Sequence, residues 1–168
     1  MPQVILYIQK NEDKIYKSDK IACYLAADSL SEERLKEAVA TGKMVLTIGS
    51  TALDVCQKFG LDGVVKEIDD KKPIKMQLKP LREALKKKTL GVIVPARRHE
   101  AMLAGEVEPE FLAFKDDETI YEKEMISWYN ELFLIPSAVL IEKPQRDIKG
   151  LDVDFVIIPS NFFENFGC

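Results

Sequence analysis

The stretch Met44 to Asp70, MVLTIGSTALDVCQKFGLDGVVKEIDD, contains the unit from which the fold can be read. Met44 to Ile48 is an apolar run without alternation, the pattern of a strand covered on both faces. Thr51 to Phe59 has helical periodicity and runs into Gly60, a residue that tolerates the left-handed turn ending a helix. Gly63 to Val65 is a second buried run. Strand, helix and strand in this order and at this spacing form a parallel crossover, which is almost always right-handed.

The same alternation extends in both directions. Apolar runs recur at Val4 to Ile8, Ile21 to Ala27, Leu90 to Val94, Phe111 to Phe114, Leu134 to Ile141 and Phe155 to Ile158. Helical segments are predicted at Ser31 to Ala40, Leu78 to Lys87, Arg98 to Gly105 and Ile120 to Phe133, with a weaker one at Gln145 to Gly150. The first opens on a serine that suits an N-cap, and it spaces Leu35, Ala38 and Val39 along one face. Eight buried strands in this mode favour a closed (β/α)8 barrel, because closure removes both sheet edges. The alternative is an open flavodoxin-like parallel sheet, but the glycine-rich nucleotide signatures of open sheets are missing.

The predicted barrel is trimmed. Gln9 to Lys20 is close to the lower limit for any crossover containing a helix. After the last strand only a short tail remains, carrying Phe162, Phe163 and Phe166. The first and last helices are therefore expected to be reduced or missing, and in a barrel both gaps flank the first strand. Two covers suit that apolar side: a second copy anchored by the tail phenylalanines, giving a homodimer, or the tail itself folded back.

Composition narrows the class of protein. A chain of 168 residues with 46% hydrophobic content fills one core, so residues 1–168 are expected to form a single domain. The net charge of −4, with acids and bases interspersed, argues against nucleic acid as a partner. Lys86, Lys87 and Lys88 end a helical stretch, where cations are favoured by the negative helix terminus, so they read as helix-end charges in preference to an anion patch. Cys23, Cys56 and Cys168 have neither disulfide nor zinc spacing. No stretch reads as a signal peptide or a membrane span, so a cytoplasmic location without membrane contact is expected.

With the strands placed, two segments resemble the thiamine-phosphate synthase and TenI family. Leu61, Asp62, Gly63 and Val64 match its "aDGVHLGQxD" phrase, and Glu100, Ala101, Ala104, Phe111 and Phe114 keep the frame of its later "eA..A...aDYv.fG" phrase. Trp128, Phe133, Ile135 and Pro136, then Asp154, Phe155 and Val156, are similar to the phrases "W...F.iP" and "aDFva". The resemblance implies a barrel of thiamine biosynthesis that either couples a pyrimidine-methyl diphosphate to a thiazole phosphate or aromatises the thiazole phosphate. It also implies phosphate cradles at the strand ends and magnesium on carboxylates, with Asp70 at the position of the family's metal-ligating aspartate.

The chain departs from that pattern where the chemistry resides. Val65 replaces the histidine, Glu67 and Ile68 replace a glycine and a glutamine, and Gly49 and Ser50 stand where the family has "ND". Ala96 occupies the position of the TenI histidine. The glycine turn after the seventh strand is replaced by Glu142, Lys143 and Pro144; proline has no N–H to offer a phosphate and glutamate repels one. Candidate phosphate ligands remaining are Ser160 and Asn161 after the eighth strand, and Arg97 and Arg98 at a predicted helix start, where guanidiniums can grip an anion bidentately. His99, the only histidine, is the candidate acid or base. Two functions follow: a divergent synthase or tautomerase, or a catalytically degenerate barrel that binds or assembles.

Overall fold

The computed structural model describes residues 2–116 and 120–166. Cys168, expected as a terminal thiol, lies outside the described residues.

The strands are β1 (Gln3–Ile8), β2 (Ile21–Ala27), β3 (Met44–Ile48), β4 (Gly63–Glu67), β5 (Thr89–Val94), β6 (Phe111–Lys115), β7 (Ser137–Leu140) and β8 (Phe155–Pro159). Each pairs in parallel with the next, and β8 pairs with β1, so the eight close a barrel in sequence order. The open-sheet alternative is thereby excluded. Among the described residues five α-helices cover the outside: α1 (Glu32–Ala40), α2 (Ala52–Phe59), α3 (Ile74–Leu85), α4 (Arg98–Gly105) and α5 (Ile120–Leu132).

Two buried layers follow from the strand parity. Val4, Leu6 and Ile8, Tyr24, Val45, Leu90, Val92, Val94 and Val156 face outward and join the helices in the main core. Ile5, Leu25, Leu46, Val65, Ile93, Ala113, Leu140 and Ile157 alternate with them and fill the lumen. Burial on both faces explains why these strands read as continuous apolar runs.

Local signals hold where they are stereochemical. The Ser31 side chain accepts from the backbone N–H of Arg34 at 3.3 Å and caps α1. Gly60 ends α2 at φ 62°, in the left-handed region. Helix α3 starts at Ile74, directly after Pro73 and four residues before the predicted Leu78, and it carries Pro80 inside it.

The helix expected at Gln145 to Gly150 does not form. Arg146 N–H bonds the Lys143 carbonyl at 3.3 Å, Leu151 N–H bonds that of Ile148, and Gly150 has φ 81°. Six residues following a proline yield too few backbone bonds to offset helix nucleation. The β7–β8 connection is held instead by buried Ile148 and Leu151 and by an Arg146–Asp116 ion pair of 2.7 Å.

No helix follows β1, and a 3-10 helix, Ser160–Phe166, replaces the last α-helix. This tail returns over the gap beside β1. Phe163 is 2% exposed and its ring lies 4.7 Å from that of Tyr16, while the Tyr16 hydroxyl donates to Glu164 at 3.1 Å. The Ser160 hydroxyl donates to the Lys14 carbonyl. Of the two expected covers for the trimmed side, the tail is the one in place.

Candidate functional site

In a parallel barrel, residues at the C-terminal strand ends that point inward face one shared mouth. The inward parity set by Ile5, Val65 and Ala113 brings Tyr7, Glu67 and Lys115 there. Lys115 Nζ lies 2.8 Å from Glu67 Oε1. This pair spans β5, the strand between their own, so it ties two non-adjacent strands across the inner wall.

The electrostatics of the mouth are acidic. Hydrogen bonding to Glu67 is the main reason that the Lys115 ammonium is held above its ordinary value; burial works against this, and Glu67, Glu142 and Asp70 add to it through their charge. Burial raises the Tyr7 phenol, a hydrogen bond with Gln9 partly offsets that, and the charges of Glu67 and Asp28 raise it further. At neutral pH Lys115 is thus a cation and Tyr7 a neutral hydroxyl. The groups coupled to these two include four carboxylates, Asp28, Glu67, Asp70 and Glu142. Against them stand Lys115 itself and Arg97, which lies 3.4 Å from Asp70.

Asp28 is positioned by the backbone of the β3–α2 turn. One carboxylate oxygen accepts from both the N–H and the hydroxyl of Thr51 at 2.7 Å. The carboxylate lies over Gly49, at φ 139°, where a Cβ would come within 2.2 Å of it. The glycine expected to mark a lost motif therefore makes room for a different acid.

The candidates named from the sequence are dispersed. Arg97 reaches Asp70 and, at 3.3 Å, Glu100, so its guanidinium already has carboxylate partners. Arg98 lies 5.2 Å over the Trp128 ring. His99 is exposed. Ser160 is 1% exposed, with its hydroxyl committed to Lys14, and Asn161 is exposed at the end of β8. Arg97 and Arg98 follow β5, three strands around the ring from β8, so the four residues do not form one cradle.

A magnesium site needs several hard oxygen ligands. Asp70 is ion-paired with Arg97, and among the described residues no group of three or more His, Cys, Asp or Glu side chains is arranged to hold a metal. The donor set does not fit the ion.

Tyr7, Asp28, Glu142 and Lys115 were not singled out as functional from the sequence. The signal was available: in VILYI, GVVKE and FLAFK the last inward position of a buried strand is polar.

The fold and mouth define a trimmed (β/α)8 barrel with polar groups at its C-terminal end. No family model matches the chain, and no curated protein matches it. Solved structures do. Tryptophan synthase from M. tuberculosis is 13% identical with a TM-score of 0.65, over 95% of this chain and 83% of that one. A protein from Aquifex aeolicus VF5 is 12% identical with a TM-score of 0.62, over the same shares. Tryptophan synthase subunit alpha from Campylobacter jejuni is 9% identical with a TM-score of 0.56, over 94% of this chain and 87% of that one. At such identities the likeness is one of fold alone. Among the described residues no helix is long and apolar enough to cross a membrane.

Proposed function

We propose that this chain is a ligand-binding barrel related to the thiamine-phosphate synthase and TenI family, in which an acidic mouth has replaced the phosphate-handling apparatus. The observation carrying this reading is the Glu67–Lys115 pair, with the surplus of carboxylates around it and Tyr7 at the same end of the barrel. Such a mouth repels a diphosphate and favours a neutral or cationic polar ligand, which Tyr7 can meet with its hydroxyl and the carboxylates with their oxygens. Loss of a single oxyanion donor commonly costs about a hundredfold or more in rate. Here the β7 turn offers Pro144 where the family has glycine, and the Ser160 hydroxyl is committed to the Lys14 carbonyl. Synthase turnover is therefore not part of the proposal.

The test is a thermal-shift comparison of thiamine, a cation without phosphate, against thiazole phosphate, the pyrimidine diphosphate and pyrophosphate, each with and without magnesium. A ligand that binds only the native state raises its melting temperature. Stabilisation by the unphosphorylated cation alone supports the reading. Formation of thiamine phosphate from the two phosphorylated precursors would replace it with the synthase reading. Homodimerisation through the β1 flank, anchored by the tail phenylalanines, is the other expectation.

A further inference from the structure

The opposite end of the barrel also contains a cavity. A space of about 400 Å³ opens at the N-terminal mouth and reaches the lumen, lined by Gln3, Ile5, Ala22, Cys23, Met44, Leu46, Thr89, Glu110, Phe111, Pro136 and Phe155. Barrel ends of this kind usually contribute stability and are filled by side chains. Here the inward Gly91 on β5 stands beside Phe111 on β6. The Phe111 ring lies against Gly91, where an added Cβ would come within 2.2 Å of it, so this large side chain stands along β5 and leaves the space beside it open. Phe155 forms the adjoining wall, its ring centroid 6.3 Å from that of Phe111.

From this geometry we propose a second ligand site at the N-terminal mouth, taking a small, neutral, largely apolar molecule with one hydroxyl or carbonyl group. Size selects a small molecule, since a cavity of a few hundred Å³ is the usual scale for such ligands. Ile5, Leu46, Phe111 and Phe155 supply apolar walls that gain by shedding water. The polar groups at the opening define the ligand's single polar end. The Thr89 hydroxyl has only a long contact, 3.9 Å, to Met44 Sδ, and Gln3 is exposed at the rim. Glu110 is held in place, its oxygens taking two bonds from Arg82 and one from the Leu90 N–H, all at 2.8 Å. Its charge disfavours an anion. Met44, 45% exposed, is a flexible and polarisable flap at the entrance.

The probe is 1-naphthol, titrated into the full chain. The expected results are a dose-dependent rise in melting temperature and at least tenfold weaker binding to the cavity-filling variant Cys23→Phe. No rise up to millimolar concentration with folded wild type overturns the site. So does Cys23→Phe binding with unchanged affinity. Should that variant fail to fold, Met44→Trp at the exposed entrance decides: 1-naphthol binding with unchanged affinity overturns the proposal. Thiamine and its precursors are absent from these assays, so the outcome is independent of the C-terminal mouth.

Discussion

Lys115 Nζ sits 2.8 Å from Glu67 Oε1, joining β6 to β4 over the intervening β5. Both side chains are more than a third exposed, 41% and 49%, so solvent screens the pair and its contribution to stability is modest, at most about 1 kcal/mol. Its larger effect is on the mouth, where it keeps a cation among carboxylates.

Replacement of Lys115 by methionine gives the first prediction. The Lys115 pKa is raised in the folded state, so its contribution is complete below the ordinary lysine value of 10.5 and fades as pH rises through the higher folded value. The stability difference between wild type and Lys115→Met, measured by urea unfolding, should be flat from pH 7 to 9 and shrink above pH 10.5. A difference that grows with alkalinity would contradict the assigned pairing.

Gly49→Ala is expected to destabilise by about 2 kcal/mol, because the new methyl meets the Asp28 carboxylate and the backbone conformation suits only glycine. Thr51 loses its two bonds to Asp28 if the carboxylate moves aside. Thr51→Val removes one of them and should cost less, about 1 kcal/mol. Chemical denaturation of both variants checks the order.

Phe163→Ala tests the tail. Truncation of a buried phenylalanine leaves a cavity and typically costs about 3 kcal/mol or more, and here it also frees the Tyr16 ring. The variant should melt lower and, with β1 uncovered, self-associate in light scattering. A variant as stable as wild type would show that the tail does not seal the barrel.

The barrel was legible because its main signals are local. Continuous apolar runs such as Met44 to Ile48, the Ser31 cap and the Gly60 stop each act within a few residues. The mouth was less legible, because Glu67 and Lys115 stand far apart in sequence and meet only through closure of the ring. Ser160 stands at the position of a family phosphate loop and Arg97 and Arg98 at a helix start, but their partners are Lys14, the carboxylates of Asp70 and Glu100, and Trp128. Strand parity would have pointed to Tyr7 and Lys115. The β7–β8 link was misread because Gln145 to Gly150 has weak periodicity, while the interaction fixing it reaches back to Asp116.

That link supplies the last prediction. Arg146 and Asp116 are 9% and 2% exposed, and one Asp116 oxygen has no hydrogen-bond partner. A buried pair gains little over apolar residues of the same size, but removing one member strands the other charge at a cost of about 3 kcal/mol. Arg146→Met alone, which leaves the Asp116 carboxylate buried, should therefore be strongly destabilising; Asp116→Leu alone should cost less, because Arg146 keeps its bond to the Asp147 carbonyl. The double variant should recover most of the loss, giving a coupling well above that of exposed pairs such as Lys36–Glu32. Additive single effects would mean that Ile148 and Leu151, and not the ion pair, hold the connection that stands in for the missing helix.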